Sequence, residues 1–452
     1  MSLKKLYNIF SKNKDKNALC LKDKIYTYHD LLNAIQEQKK WLQNNFVTQG
    51  QVVALEADYS MKSIATFIAL IELKAILVPR TNLPQEKLIE SREISEANFI
   101  IQFDEQDIPK IKYLKDETKN QLLLKLKSDK KPGLVIFSSG STGKSKAAVH
   151  NLELLMEKFL KPRHSLRVLV FLLFDHIGGF NTLFYTLFNG GCLVVPESRS
   201  PLDVAKSIEK YKAEALTTSP TFLNLLLLNG CLEEFDLNSL KYINYSSEVM
   251  PEYLLEKLKN IFPSVRFSQA YGLSEVGVLN IKSRSSSCTY FKMDETVETR
   301  IVNNMLEIKS NTTMLGYLNA DSPFTEDGWF KTGDMVEYDG DYIKILGRNS
   351  DMINFGGTKV YPAEVENVIQ QMEDVEEVSV SGESHPMTGQ MIKVNVVLKT
   401  NETNPEFKKR MNLYCLDKLP RYKIPQKVLI SKTKLYNERF KKMHVFGGSY
   451  GQ

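Results

Sequence analysis

The stretch PGLVIFSSGSTGKSKAAVHN, residues 132–151, joins a short apolar run to a loop rich in glycine and hydroxyl side chains. The run Leu134 to Phe137 has the character of a buried strand, and the nine residues after it contain five hydroxyl residues, two glycines and two lysines. Glycines let a backbone wrap around an anion, while hydroxyls, amides and lysines donate to it. The stretch therefore predicts a strand leading into a phosphate-binding loop, and a solvated turn is the alternative if the stretch is taken alone.

The loop lacks the pattern of a Walker nucleotide-binding loop. That pattern requires a glycine, four residues and then Gly-Lys-Ser/Thr, because the first glycine opens a tight backbone nest around a phosphate. Counting back from Gly143, the first glycine position is occupied by Ser138. The sequence thus indicates a different way of holding phosphate.

Short apolar runs alternate with helix-length segments through the first two thirds of the chain. This alternation is typical of layered α/β structure with mostly parallel strands. The predicted strands lie at 52–55, 75–78, 99–101, 134–137, 168–171, 192–195, 215–217 and 242–244, and the predicted helices at 28–45, 62–74, 204–212 and 253–261.

The sequence changes character near Arg300 and again after Arg348. Short strands and turns after Arg300, with a hairpin turn at Asp339-Gly340, predict a small β-rich subdomain. After Arg348 we predict a compact α+β unit with helices at 362–372 and 404–419 and strands at 375–381, 391–399 and 427–430. We therefore expect an α/β protein with a large N-terminal domain of layered α/β subdomains plus a small β-rich subdomain, residues 1–347, followed by a small α+β C-terminal domain.

Composition is that of an ordinary globular protein. The 452 residues are 42% apolar and 25% charged, with a formal net charge of +5. The longest apolar run, Val168 to Phe174, is far below the roughly 18 residues of a membrane span, and no signal peptide is apparent, so we expect a cytoplasmic protein. Five scattered cysteines without a CxxC pair indicate free thiols rather than disulfides or structural zinc. The basic stretch Lys418 to Lys442 carries no nucleic-acid-binding signature.

Seven segments in a fixed order resemble the signatures of the AMP-forming adenylating enzymes, the superfamily of acyl- and aryl-CoA synthetases, firefly luciferase and peptide-synthetase adenylation domains. The opening loop resembles [ST]SG[ST]TGxPK, with Ser145 in place of the proline. Each short motif alone is a weak match, but their joint order over essentially the whole chain makes the resemblance specific. The other six are FDHIGG (174–179), YSSEVM (245–250), QAYGLSE (269–275), GWFKTGD (328–334), GRNSDMINFGGTKVYPAEVE (347–366) and KLYNERFK (434–441).

The resemblance implies a site for ATP and Mg²⁺. In it, Tyr271 stacks on adenine, Asp334 accepts hydrogen bonds from the ribose, His176 lines a carboxylate pocket, and Glu275 with Thr142 holds the metal. Serines replace the family's glycines at Ser246 and Ser247. The nucleotide-binding residues implied are Ser138, Ser139, Gly140, Ser141, Thr142, Gly143, Lys146, Ser246, Ser247, Glu248, Tyr271, Gly272, Ser274, Asp334 and Arg348, and the implied thiol tunnel contains Gly356 and Gly357.

The resemblance also implies a catalytic lysine near the C-terminal end. Aligning Asn437 with the family's threonine selects Lys441, whereas aligning Leu435 with the family's leucine selects Lys442. We prefer Lys441, although the glycine that the family has before its lysine is Phe440 here. A basic tail without a catalytic role is the alternative for both lysines.

The activity implied is activation of a carboxylic acid by ATP to an acyl-adenylate with release of pyrophosphate, then transfer to a thiol. In the family a mobile C-terminal domain, here 352–452, rotates about a hinge, here 348–351, which carries Ser350 instead of the usual aspartate or lysine. Coenzyme A is the favoured acceptor. The alternatives are an acyl-AMP ligase that loads a separate acyl-carrier protein, and a degenerate nucleotide-binding paralogue without turnover.

The acid itself is not determined by these motifs. A medium-sized acyl or aryl acid fits as well as a long chain. An amino acid is less favoured, because FDHIGG offers only Asp175 as a remote partner for an ammonium group.

Overall fold

A computed structural model describes residues 2–443 except 82, 116, 140–144, 286 and 287. The N-terminal part of the chain consists of helices and strands that alternate as far as residue 269. Its helices are α1 (Ser2–Lys12), α2 (Tyr28–Asn44), α3 (Met61–Glu72), α4 (Gln85–Ile94), α5 (Gln121–Ser128), α6 (Leu152–Glu157), α7 (Ile177–Phe188), α8 (Pro201–Tyr211), α9 (Pro220–Leu228), α10 (Cys231–Glu234) and α11 (Glu252–Ile261). Its strands are β1 (Asn17–Leu21), β2 (Lys24–Thr27), β3 (Val52–Glu56), β4 (Ile76–Arg80), β5 (Phe99–Phe103), β6 (Pro109–Tyr113), β7 (Gly133–Ser139), β8 (Ser145–Asn151), β9 (Arg167–Leu169), β10 (Cys192–Val195), β11 (Ala215–Thr218), β12 (Tyr242–Tyr245) and β13 (Arg266–Gln269).

Short strands and a second α+β unit complete the chain. The strands that follow are β14 (Tyr271–Leu273), β15 (Gly277–Leu279), β16 (Ile281–Ser283), β17 (Phe291–Met293), β18 (Glu298–Val302), β19 (Met305–Lys309), β20 (Gly316–Tyr317), β21 (Phe330–Asp339) and β22 (Tyr342–Arg348). The last unit contains β23 (Ile353–Phe355), β24 (Thr358–Val360), α12 (Pro362–Ile369), β25 (Val375–His385), β26 (Gly389–Leu398), α13 (Asn404–Cys415) and β27 (Lys427–Ile430).

Two sheets form the N-terminal layers, the first with three parallel and three antiparallel strand pairs and the second with five parallel pairs and one antiparallel pair. One has the order β20-β8-β7-β4-β3-β5-β6 and the other β13-β12-β11-β9-β10-β1-β2. Helices α3 and α7 are buried along almost their whole length, in one apolar cluster with residues from both sheets. A helix that is apolar on all sides must be covered on all sides, so these two helices lie between the sheets and confirm the layered α/β prediction.

The β-rich subdomain is confirmed, although it begins earlier than the sequence indicated. Its sheet has the order β16-β17-β22-β21-β19-β18 and starts at Ile281 rather than near Arg300. Strands β16 and β17 have three residues each, too few to produce a readable alternation. The hairpin turn at Asp339-Gly340 joins β21 to β22, with Gly340 at φ +57°.

From α12 onward the C-terminal unit follows the predicted order of elements, whereas the short strands β23 and β24 before α12 were not predicted. The strand predicted at 427–430 has those bounds, while both helices end three or four residues before the predicted ends, at Ile369 and Cys415. Strands β23 to β27 form one sheet with its own apolar core. Within the described residues no helix is long and apolar enough to cross a membrane.

Candidate active site

A cavity of about 350 Å³ lies between the N-terminal layers and the C-terminal unit. Its N-terminal wall follows the carboxyl ends of β12 and β13, the edge at which parallel sheets bind ligands. Nine of the residues predicted for the site lie in the cavity wall: Ser246, Ser247, Glu248, Tyr271, Gly272, Asp334, Arg348, Lys441 and Lys442.

Asp334 is held in one orientation by two neighbours. The antiparallel register of β21 and β22 places it opposite Arg348, whose Nε lies 2.8 Å from Asp334 Oδ1. The Tyr271 hydroxyl donates to Asp334 Oδ2 at 2.6 Å. Burial raises the pKa of Asp334, and the positive charge of Arg348 opposes that shift. The result is a preoriented carboxylate at the cavity wall.

Tyr271 presents an aromatic ring at the same wall. The ring stacks on Phe291 with centroids 5.6 Å apart, and Tyr271 itself is buried. The contact of Tyr271 with adenine stays a prediction. Packing against Phe291 would hold the Tyr271 ring in place for such a contact.

Ser246 and Ser247 follow β12, where the family signature has glycines. Ser247 adopts φ +73°, a left-handed conformation that favours glycine. Next to it, Glu248 Oε2 accepts from the Thr221 amide (3.1 Å) and hydroxyl (2.7 Å), and Glu248 Oε1 accepts from the Lys442 amide at 2.6 Å. Glu248 therefore ties the C-terminal segment to the cavity wall.

Glu275 lies outside the cavity wall and is bonded to a residue that the sequence did not single out. The Tyr317 hydroxyl donates to Glu275 Oε1 at 2.7 Å, and Lys146 Nζ lies 5.4 Å from the centroid of the Tyr317 ring. Tyr317 belongs to β20, which pairs with β8. This pairing joins distant parts of the chain, so no local sequence signal could have revealed it. Ser274, beside Glu275, accepts through its carbonyl from His150 Nε2 at 2.6 Å.

Part of the predicted phosphate loop can be located. Ser138 faces Lys146 across the β7–β8 ladder, and the Ser139 backbone faces Ser145. Four predicted residues of the loop, Gly140, Ser141, Thr142 and Gly143, lie outside the described residues, as does the side chain of Ser139. Their phosphate contacts and the metal-binding role of Thr142 stay predictions.

The two candidate lysines have different partners. Lys441 Nζ lies 3.5 Å from His176 Nε2, whereas Lys442 Nζ forms an ion pair with Glu366 Oε2 at 2.9 Å. Lys441 thus reaches across to the N-terminal layers, and Lys442 is paired within the C-terminal unit. Burial lowers the pKa of Lys441.

His176 occupies the N-cap position of α7. Its Nδ1 accepts from the Gly178 amide at 3.0 Å, so the neutral ring carries its hydrogen on Nε2. Burial, Lys441 and Arg439 together hold the pKa of His176 well below its usual range, which favours that neutral ring. Two donors, His176 Nε2–H and the Lys441 ammonium, therefore lie side by side, and an anionic oxygen that contacts both nitrogens would satisfy both.

Sequence reasoning missed a further contact beside His176. Arg439 Nη2 lies 2.6 Å from Asp175 Oδ2. Asp175, considered from the sequence only as a remote partner for an ammonium group, is thus paired within the protein. The charges are visible in the sequence, but their 264-residue separation gives no indication that they meet.

Gly356 and Gly357 lie away from the cavity wall in this conformation. They form the turn between β23 and β24 with φ +57° and +86°, and a Cβ on either would meet nothing within 4 Å. Turn conformation, rather than close approach of another group, accounts for glycine here. At the predicted hinge, Ser350 Oγ donates to Asp351 Oδ1 at 2.9 Å.

Two observations bear on the implied ligands. Gln269 Oε1, in the cavity wall, is buried without a hydrogen-bond partner among the described residues, so a ligand N–H can satisfy it. The described residues contain no cluster of three or more histidine, cysteine, aspartate or glutamate side chains able to hold a metal. A cation held by one carboxylate and the phosphates of a nucleotide, as Mg²⁺ commonly is, needs no such cluster.

Comparison with known proteins agrees with this arrangement. The sequence model of the AMP-binding enzymes matches residues 8–318, more than half of the chain, and the model of the AMP-binding enzyme C-terminal domain matches residues 364–440. The chain belongs to the AMP-binding enzyme family.

Curated CoA ligases are similar to this chain over part or most of their length. Indoleacetate–CoA ligase of Aromatoleum aromaticum is 27% identical over 326 residues, which cover 66% of this chain and 63% of the relative. 2-Succinylbenzoate–CoA ligase of Bacillus subtilis is 25% identical over 456 residues, covering 91% and 90%. For several of these relatives, indoleacetate–CoA ligase among them, the matched region is thus less than two thirds of their length.

Solved structures of a CoA ligase and a CoA synthetase share the fold. The anthranilate CoA ligase AuaEII in complex with anthranoyl-AMP has a TM-score of 0.83 at 20% identity, with 98% of this chain and 95% of that chain covered. The o-succinylbenzoate CoA synthetase of Bacillus subtilis in complex with ATP and magnesium has a TM-score of 0.77 at 22% identity, with 97% and 98% covered.

Proposed function

We propose that the protein is an AMP-forming acid–thiol ligase. It activates a carboxylic acid with ATP to an acyl-adenylate, releases pyrophosphate, and transfers the acyl group to a thiol, coenzyme A. The observation that carries this proposal is the approach of Lys441, from the C-terminal segment, to within 3.5 Å of His176 in the N-terminal layers. Membership of the AMP-binding enzyme family and the CoA ligases among its relatives support it.

The Lys441–His176 pair is suited to bind the acid. A carboxylate that contacts both the ammonium and the imidazole Nε2–H accepts from both donors. The same ammonium can follow negative charge from the carboxylate to the α-phosphate as the carboxylate attacks phosphorus and pyrophosphate leaves. His176 stays neutral throughout and acts as a donor rather than as a base, because burial and its cationic neighbours disfavour protonation.

The cavity fits the adenosine part of ATP. Its volume of about 350 Å³ falls in the range of small-ligand sites. Asp334, fixed by Arg348 and Tyr271, can accept from ribose hydroxyls, and the unpartnered Gln269 Oε1 can accept from an amino group of the base. Glu275, oriented by Tyr317, would hold Mg²⁺, which neutralises phosphate charge when bound.

The second step requires a thiol at the adenylate. We infer that residues 348–351 are a hinge about which the C-terminal domain, 352–452, moves between the two steps, with residues 1–347 as the N-terminal domain. The separate apolar core of the C-terminal unit supports this division. Movement of the C-terminal domain would also bring Gly356 and Gly357, which lie away from the cavity wall here, to the implied thiol tunnel.

Acid-dependent exchange of pyrophosphate into ATP, measured across a panel of aliphatic and aromatic acids, tests the first step. We expect exchange with at least one acid. Measurable ATP binding without exchange for any acid would contradict the proposal and favour the degenerate nucleotide-binding paralogue.

The thiol acceptor is tested separately. Release of AMP from ATP and the active acid, measured with free coenzyme A and with a holo acyl-carrier protein, distinguishes a CoA ligase from a carrier-loading ligase. We expect turnover with free coenzyme A, and turnover with the carrier protein alone would reverse the assignment. The cytoplasmic location stays a prediction from the sequence.

A further inference from the structure

One ion pair crosses from the C-terminal segment to the residue beside His176. Arg439 Nη2 lies 2.6 Å from Asp175 Oδ2, and the Asp175 side chain is fully buried. A buried carboxylate is unfavourable unless a cation pairs with it. Asp175 directly precedes His176, and Arg439 lies two residues before Lys441. The pair therefore constrains the separation of the two donors at the carboxylate site.

Phe440 anchors the same segment through apolar contacts. Its φ of +54° is left-handed, which residues with a side chain rarely adopt. Its ring centroid lies 5.7 Å from that of Phe171 and 5.3 Å from that of Phe222, and its carbonyl accepts from Ser219 Oγ at 2.7 Å. These partners all belong to the N-terminal layers, so the shape of the segment depends on its docking there.

A second cation, Arg80, lies in the N-terminal layers within electrostatic range of Asp175 but forms no direct ion pair with it among the described residues. Arg80 is buried, and neither Arg80 Nε nor Asp175 Oδ1 has a hydrogen-bond partner among the described residues. Burial lowers the pKa of Arg80 to about 10, and the charge of Asp175 opposes that shift. If Arg439 were removed, Asp175 would keep the hydrogen bond from the Thr81 amide, at 3.2 Å from its Oδ2, and the attraction of the Arg80 charge. Arg439 is therefore the residue of the pair to alter.

We propose that Asp175 and Arg439 are a positioning pair for the adenylation step, in which their ion pair seats the segment that carries Lys441 over the carboxylate site. This inference rests on the proposed function. Neither residue needs to touch the reacting atoms, because both act through Lys441. The pair therefore governs the rate of adenylation rather than the binding of ATP.

Arg439→Gln tests the pair while keeping a side chain of similar length. With an active acid, we expect the kcat of pyrophosphate exchange to fall about tenfold to a hundredfold, as for a misplaced catalytic group, while the KM for ATP stays close to that of the unaltered protein. Arg439→Lys should recover part of the loss. Adding Asp175→Asn to Arg439→Gln should cost little more, since the two residues act together. An unchanged kcat in Arg439→Gln would overturn the proposal.

Arg410→Gln is the matched control. Arg410 pairs with Glu402 at 2.6 Å inside the C-terminal unit, and its side chain is 34% exposed, as is that of Arg439. We expect its exchange rate to equal that of the unaltered protein. If both variants lost activity in proportion to a fall in melting temperature, the role of Arg439 would be structural and the proposal wrong.

Amide hydrogen exchange of residues 439–443 provides a test without any acid. The Lys442 amide donates to Glu248 across the two units, so docking of the segment protects it. We expect faster exchange in Arg439→Gln than in Arg410→Gln, and equal protection in the two would contradict the positioning role. The hydrogen-exchange result tests the positioning role of Asp175 and Arg439 even if the unaltered protein activates none of the acids. Failure to activate any acid would refute only the proposed function.

Discussion

Lys441 and Lys442 are adjacent residues whose ammonium groups meet different partners. Lys441→Ala removes the donor beside His176, and we expect pyrophosphate exchange to fall about a hundredfold or more, as when one donor to a transition state is lost. Lys442→Ala breaks an ion pair with Glu366 and should affect the rate less. Exchange kinetics and ATP binding of both variants check this. A larger loss in Lys442→Ala would move the catalytic role to that residue.

Ser247 adopts a backbone conformation suited to glycine. A side chain in the left-handed region costs about 1–2 kcal/mol, which equals or exceeds the about 0.4–1 kcal/mol by which glycine destabilises the protein through the entropy of the unfolded chain. We therefore expect Ser247→Gly to leave the melting temperature unchanged or slightly raised. Ser246→Gly, at a neighbouring position without a positive φ, should lower it. Equal losses in the two variants would contradict this account.

At the scale of elements, strand β20 connects two predicted motifs. Tyr317 lies between Lys146 on β8 and Glu275. Tyr317→Phe keeps the ring beside Lys146 but removes the hydroxyl that orients the glutamate. Because groups that orient metal ligands matter for metal affinity, we expect the Mg²⁺ concentration for half-maximal exchange to rise about tenfold.

Tyr290→Phe is the control for Tyr317→Phe, since it removes a comparable bond to Glu337 in the β-rich sheet, outside the cavity wall. Its Mg²⁺ requirement should match that of the unaltered protein. An equal rise in both variants would show a general effect on the sheet instead of an effect on Glu275.

At the scale of the whole molecule, the proposed hinge separates the two steps. Ser350→Pro restricts the backbone dihedral at that position, and hinge residues must absorb dihedral changes. We expect pyrophosphate exchange to persist while thioester formation falls strongly. Ser350→Ala, which keeps the backbone free, should support both steps. If the proline variant lost both steps, or kept both, residue 350 would not be the hinge.

Much of the architecture could be predicted because it depends on local patterns. The apolar runs that became β3, β4, β7 and β10 and the helix that became α2 are readable from periodicity alone, and the hairpin at Asp339-Gly340 follows from turn chemistry. The short strands β16 and β17 were missed, since three residues produce no alternation that can be distinguished from a loop.

Nine residues that the motifs predicted lie around one cavity in the structure. Their hydrogen-bond and ion-pair partners could be identified only from the tertiary structure. The sequence shows the residue types at Asp334, Glu275 and Lys441, and the order of the motifs that contain them indicates ATP-dependent activation of an acid. That Tyr317 orients Glu275, that Arg439 pairs with Asp175, and that Lys441 rather than Lys442 meets His176 depended on the tertiary structure. These contacts join residues far apart in the chain, and their distances are determined by how the sheets and the C-terminal unit pack, which no local pattern encodes.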